Sequence, residues 1–191
     1  MAGASLPAPG ERWPAVSSRK RKLEPTPGAA HHKIVRVRAA AHDDVDFVRD
    51  LAGEVFAPFG DYRKLLPKWL KTPGVMTFVA ESDGERAGYV MIAFFRESCW
   101  LVGDILAIAV APKYQGLGVG RSLMQHAVSL CEQEAARSPV RAMRLSVADT
   151  NERAQRLFLS FGFVNLEGDF GQYDGGQQAL HMERPIDPHP R

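Results

Sequence analysis

Residues 104–123 read DILAIAVAPKYQGLGVGRSL. An apolar run from Ile105 to Val110 stops at Pro112, glycines follow at positions 116, 118 and 120, and apolar residues then recur at helical spacing. The order expected is a buried strand, a tight loop and a helix N-terminus. The first turn of a helix leaves backbone N–H groups without partners and carries partial positive charge. Glycines remove the side chains that would keep a bulky anion away from those groups. A phosphate-bearing ligand suits such a junction.

Spacing excludes two common phosphate loops. A Walker A loop needs glycine where Gln115 stands and lysine where Arg121 stands. A dinucleotide fingerprint begun at Gly116 or at Gly118 needs its third glycine at Arg121 or at Leu123. What remains is Gln115-x-x-Gly118-x-Gly120, and here the chain resembles the GNAT superfamily of acyl-CoA-dependent N-acyltransferases. A second pattern of that family, Asn-x-x-Ala-x-x-Leu followed by Gly-Phe, is met by Asn151, Ala154, Leu157, Gly162 and Phe163, about thirty residues further on. The resemblance covers about residues 34–185.

Outward from the loop, local signals arrange the rest. Ile34 to Ala39 alternates as a first strand, and Asp43 stands as N-cap to a helix with Val45, Val48, Leu51, Ala52, Val55 and Phe56 on one face. Phe56 to Lys71 mixes Pro58, Gly60 and Pro67 with aromatic and basic residues, and reads as a short, irregular helical element. Val75 to Glu81 and Ala87 to Arg96 flank an Asp83-Gly84 turn, an antiparallel hairpin. Beyond the loop, a helix bearing Leu123, Met124, Ala127, Leu130 and Cys131 stops before Pro139, and Ala142 to Val147 forms the next strand, parallel to the strand before the loop or splayed from it. Asn151 caps a short helix with Ala154, Leu157, Phe158 and Phe161, ended by Gly162. A Tyr173–Gly176 turn precedes a closing strand, Ala179 to Arg184. Taken with the resemblance, the fold expected is α+β: a mixed, mostly antiparallel sheet of six or seven strands flanked by helices, its central strand pair splayed at the coenzyme A site.

The chain has 191 residues, 45% of them hydrophobic, enough for one well-buried domain. Residues 1–33 hold six Lys/Arg against two Glu, while residues 34–191 hold 18 against 20 Asp/Glu. The Pro/Ala/Gly/Ser-rich segment 1–33, with its Arg19–Lys22 cluster, is expected to be a disordered basic tail, residues 34–185 the folded domain and 186–191 a C-terminal tail. Cys99 and Cys131 show neither zinc nor redox spacing, and no His-Glu-x-x-His or Gly-x-Ser-x-Gly pattern occurs. No metal, no membrane span and no nucleic-acid partner are expected; a soluble, cytoplasmic protein is. The oligomeric state stays open, a homodimer being one option.

The resemblance implies a site and a reaction: transfer of an acetyl group from acetyl-CoA to an amine by direct attack in a ternary complex. The strand end at Ile108, Ala109 and Val110 would hold the pantetheine arm, a backbone N–H near Ala109 or Val110 would stabilise the oxyanion, and Gln115, Gly116, Leu117, Gly118, Val119, Gly120 and Arg121 would bind the pyrophosphate. From residue type alone, Ala107 and Ala109 either let a ligand approach closely or pack against a helix. Asn151 either reaches the arm or only caps its helix. Asp104 resembles the position of a carboxylate base and needs desolvation to act near neutral pH. Phe158 occupies a position where many relatives carry tyrosine, so Tyr173 or Tyr114 could supply the missing hydroxyl. Glu54 and Tyr62 are acceptor-side candidates by the same resemblance. The acceptor is a protein N-terminus, a lysine or a small amine; a catalytically weak acyl-CoA sensor of the same fold is the alternative.

Overall fold

The computed structural model describes residues 34–186. The readings of 1–33 as a disordered tail and of the segment after Ile186 as a second tail lie outside the described residues. Ile186 itself is buried, and its N–H bonds to the Arg141 carbonyl at 2.9 Å, so the folded part runs one residue past the boundary expected.

Two tight turns build the first half of the sheet. Asp83 and Gly84 both take positive φ, 54° and 80°, as a two-residue hairpin turn of this hand requires. They join β2 (Val75–Ser82) to β3 (Glu85–Glu97). A second turn through Ser98, also at φ 54°, leads into β4 (Trp100–Val110), and β1 (Val35–Ala39) closes the edge against β2. With β5 (Val140–Ala148), β6 (Val164–Asn165) and β7 (Ala179–Pro185), the order is β1-β2-β3-β4-β5-β7-β6. Only β4 and β5 run parallel, so the sheet is mixed, mostly antiparallel and seven-stranded as expected.

Apolar burial splits into two layers. On one face, Leu123, Met124, Ala127 and Cys131 of α3 (Val119–Ala135) and Phe158 of α4 (Glu152–Leu159) pack with Val90, Ile92, Ile105 and Leu145. On the other, Val48, Leu51 and Ala52 of α1 (Val45–Val55) and Leu66 of α2 (Leu65–Leu70) pack on Val79, Tyr89, Met91, Ala107 and Ala109. Ala107 and Ala109 therefore pack under a helix, and Ala107 also borders a cavity of about 320 Å³, so both readings its size allowed apply to it.

One local expectation is corrected. Asp43 is not the N-cap of α1: a 3-10 turn, His42–Asp44, intervenes, and Asp43 pairs with Arg86 at 2.8 Å. Asp44 takes the structural role instead. Fully buried, it accepts from the Ala41 N–H at 2.7 Å, from Arg38 at 2.6 Å and from Arg86 at 2.6 Å. The Tyr173–Gly176 turn is present as expected, with the Gly176 N–H on the Tyr173 carbonyl at 2.8 Å, the Tyr173 N–H on the Gln177 carbonyl at 2.9 Å and a Gln172–Gln178 bridge at its base. The outer partner of β7 is β6, which at two residues is too short for any periodicity to announce.

One irregularity in β4 positions everything that follows. Met91 pairs with Ala107 but Ile92 pairs with Ile105, leaving Leu106 as an extra residue, a β-bulge. The alternation of side chains changes phase there: Gly103 and Ile105 face α3, Leu106 and Ala107 both face α1, and Ile108 and Val110 face α3 again. Pairing of β4 with β5 ends at Ile105 and Leu145, while Ser146, Val147 and Ala148 continue to pair with β7 alone. A bulge bends its strand and raises its twist, and β4 leaves β5 at this point.

Candidate active site

The parted strands leave a cleft whose two cavities, about 320 Å³ and about 370 Å³, have Ile108, Asn151, Ala154 and Phe158 in common. One edge of it is backbone. The Ala111 N–H donates to the Ala87 carbonyl at 2.9 Å, which makes Ala109 and Tyr89 a hydrogen-bonded pair and Val110 and Gly88 a non-bonded one. By the same alternation the N–H groups of Ile108 and Val110 point away from β3 toward the opening, and that of Ala109 does not. The Val110 carbonyl confirms the direction by accepting from Gln115 Nε2 at 3.0 Å. Of the three strand residues singled out from the sequence, Ile108 and Val110 face the cleft; Ala109 is turned into the sheet and the α1 layer.

At the end of β4, Pro112–Tyr114 forms a 3-10 turn, and the chain then passes through Gly116 and Gly118 at φ 85° and 86°. Any side chain at these two positions is strained by the left-handed backbone. Gly118 is the N-cap of α3, and the first intrahelical bond runs from the Ser122 N–H to the Gly118 carbonyl at 3.0 Å. Val119, Gly120 and Arg121 therefore present amides with no backbone acceptor among the described residues. Leu117 differs: its side chain is exposed, and its N–H is used by the Tyr114 carbonyl at 3.4 Å. The Val119 side chain is buried in the core, and the Arg121 guanidinium lies 5.6 Å from the Phe161 ring at the rim.

Helix α4 closes the far side. Asn151 Oδ1 accepts from the Ala154 N–H at 3.2 Å, the expected cap, while Asn151 also lines both cavities. Phe158 is buried against Phe163 with ring centroids 6.2 Å apart, and it too borders both cavities. A residue that the sequence did not single out joins the two signatures: Arg153 donates through one guanidinium nitrogen to Gln115 Oε1 at 2.8 Å. Its charge thereby sits beside the glycine loop. The only sequence hint was its place two residues after Asn151, on the exposed side of the helix.

The cavity on the other side of Ile108 is walled by Phe56, Phe59, Tyr62, Leu66, Trp69 and Tyr173, and Asp104 is the one carboxylate in its lining. Asp104 stands on β4 between Ala93 and Arg144, half-buried. Burial pushes its carboxyl above the usual carboxylate range, with Arg144 pulling it back and Glu97 adding to the rise. Arg144 is itself held by Glu183 at 2.6 Å and by Glu97, which divides its charge among three carboxylates. The Tyr173 hydroxyl is 3.0 Å from Ser146 Oγ, on the part of β5 that has left β4. Burial raises its pKa, so the phenol stays protonated as a donor. Tyr114, the other candidate, is buried elsewhere and bonds Glu85. Tyr62 lines the cavity; Glu54 is exposed on α1 and lines none of the cavities described.

The chain is similar to known proteins. Residues 45–163 match the model of the acetyltransferase (GNAT) family. A Bacillus subtilis (strain 168) protein provisionally named a ribosomal protein bS18-alanine N-acetyltransferase is 32% identical over 151 residues, 76% of this chain and 92% of that one. Streptothricin acetyltransferase of Streptomyces lavendulae is 33% identical over 115 residues, 57% of each chain. The fold is also that of the crystal structure of the Escherichia coli ribosomal-protein-S18-alanine N-acetyltransferase, with a TM-score of 0.67 at 20% identity over 83% of this chain and 97% of that one. With its two signatures meeting across a cleft between parted strands, the chain belongs to the GNAT family of acetyltransferases.

Proposed function

We propose that this N-acetyltransferase moves the acetyl group of acetyl-CoA to the α-amine of a polypeptide, by direct attack while both are bound. The observation that carries the choice of acceptor is the cavity beside Asp104: aromatic walls, about 320 Å³, and a single carboxylate. That volume suits one apolar side chain beside an amine. A polycationic small molecule would be better served by several converging carboxylates. The bS18-alanine enzymes among the relatives point the same way, and the streptothricin enzyme keeps a small amine as the second reading.

Acetyl-CoA supplies an activated thioester, which leaves the protein to position two reactants, accept a proton and donate hydrogen bonds to the carbonyl oxygen. The free amides of Val119, Gly120 and Arg121 would receive the pyrophosphate, with the Arg153 charge beside them. The outward N–H groups of Ile108 and Val110 would hold the pantetheine amides and the thioester oxygen. Asp104, its carboxyl lifted above the usual carboxylate range by burial, would take the ammonium proton directly or through water. Tyr173 would supply the hydroxyl that Phe158 lacks, and this favours turnover over a sensor that only binds the thioester. Acetyl-CoA use accords with a cytoplasmic setting, and no helix among the described residues is long and apolar enough to cross a membrane.

Thiol release from acetyl-CoA, measured over a panel of peptides with free N-termini, N-terminally blocked lysine peptides and small amines, tests the acceptor. CoA release confined to free N-termini, with mass spectrometry placing the acetyl group there, is the expected result; release confined to blocked lysine peptides or small amines would overturn it. Two substitutions probe the cofactor side. Arg153→Ala should raise the KM for acetyl-CoA about fivefold, on the order of 1 kcal/mol for one charge-assisted contact, and leave kcat at saturation unchanged. Phe158→Tyr should leave kcat equal or higher, since the new hydroxyl would enter the cleft; a large fall would show that the ring's apolar edge shapes the pocket.

A further inference from the structure

We propose that the acceptor is acidic in the residues that follow its amine, and that these lie along a stripe of lysines on the outer side of α2 and its two caps; this rests on the polypeptide-acceptor reading above. Lys64, Lys68 and Lys71 fall at i, i+4 and i+7, the spacing that places side chains on one helix face. All three are exposed, and none makes a salt bridge among the described residues. Leu66 and Trp69 of the same helix, with Tyr62 just before it, form a wall of the acceptor cavity. The segment Lys64–Lys71, α2 with its two caps, therefore turns Leu66 and Trp69 to the cavity and its lysines to solvent.

The distribution of lysine argues against an ordinary solvated surface. Residues 34–186 contain four lysines, three of them in this stripe, and the fourth, Lys113, is paired with Glu85 at 2.6 Å. Arginines in the same domain are mostly neutralised, as Arg38 is by Asp44 and Glu81, Arg86 by Asp43 and Asp44, and Arg144 by Glu97 and Glu183. Residues 34–191 carry a slight excess of acid overall, so unpaired positive charge beside the acceptor cavity is a local feature. Arg63, next in sequence, holds Asp61 at 2.9 Å, and Lys64 acts on the same carboxylate through space without forming a salt bridge to it. Positive charge flanking a binding cavity raises the encounter rate and the affinity of an anionic chain and repels a cationic one.

The test uses the full-length protein, acetyl-CoA and three peptides that share an apolar first residue and continue with Asp/Glu, with Ser/Gly or with Lys. The readout is the ratio of kcat/KM values on one enzyme preparation, which a partial loss of folded protein does not move. The acidic peptide should exceed the neutral one roughly tenfold at low ionic strength, and the ratio should fall toward one near 0.5 M salt, where the screening length is only a few ångströms. In the triple variant Lys64→Glu, Lys68→Glu, Lys71→Glu the order should invert in favour of the basic peptide. Equal turnover of acidic and neutral peptides, or a triple variant with the wild-type ratio, overturns the proposal while leaving the polypeptide acceptor standing. Acetylation of small amines but of no peptide overturns both. Retention on tRNA or on phosphatidylserine vesicles that the triple variant loses, with peptides of every charge turned over alike, would assign the stripe to those surfaces instead.

Discussion

Replacing Asp104 with asparagine is expected to lower kcat about a hundredfold and to leave the KM for acetyl-CoA within about twofold, the signature of a lost proton acceptor. The wild-type rate should rise with pH through an inflection above the ordinary carboxylate range, because only the ionised form of Asp104 accepts a proton and burial has raised its pKa. That acidic limb should vanish in the variant. Stability should move the other way. A carboxyl whose folded pKa is raised binds its proton more tightly in the folded state, so ionisation destabilises the fold as pH rises through the folded value. The uncharged amide of Asp104→Asn bears no such cost, and a melt at neutral pH should show the variant at least as stable as the wild type. A large loss of Tm would instead mean that the carboxylate is structural, held there for Arg144.

Asp44→Ala carries the largest effect on stability. It strips the buried acceptor from the Ala41 N–H and from two guanidinium groups at once. Removing one partner from a buried ion pair commonly costs 3–5 kcal/mol, and here Arg38 keeps Glu81 and Arg86 keeps Asp43, so about 3 kcal/mol is expected, roughly 5–10 °C in Tm. Hydrogen bonds from Arg38 above all hold the Asp44 pKa down to about 2. Its contribution is therefore complete above the unfolded value of 3.8 and is lost as pH falls toward 2. The gap between wild type and variant, read from urea melts, should be flat from pH 7 to about pH 5 and close below pH 4. A gap that persists undiminished near pH 2 would show that shape, and not charge, makes the residue costly to lose.

Much of the site was legible in the chain because its signals are local. Gly116 and Gly118 announce a loop that must take positive φ, the run from Ile105 to Val110 a buried strand, and Asn151 a cap three residues before the amide it accepts. Asp104 could be placed at the strand, and structure adds the burial that gives its carboxyl a raised pKa. Other parts gave no local sign. The run IAFF and the run DILAIAV are each regular, and nothing in either marks Leu106 as the residue without a partner; the bulge exists only in the pairing of the two strands. Arg153 reaches Gln115 across 38 positions, and Tyr173 reaches Ser146 across 27. Asp43 and Asp44 look equally fit to cap a helix until β1 and β3 bring Arg38 and Arg86 to one of them.

Taken alone, the chain determined the order of its longer helices and strands and the presence of a glycine loop leading into a helix N-terminus, because hydrophobic period, glycine and capping act over a few residues. Tertiary structure alone decided where the sheet opens, which N–H groups of the strand face that opening, and which of several carboxylates and tyrosines stand in the cavity beside it. Those outcomes depend on strand register and on side chains meeting from distant segments. A one-residue change of register redirects every side chain beyond it, and at Leu106 that change coincides with the end of the parallel pairing and the opening of the cleft.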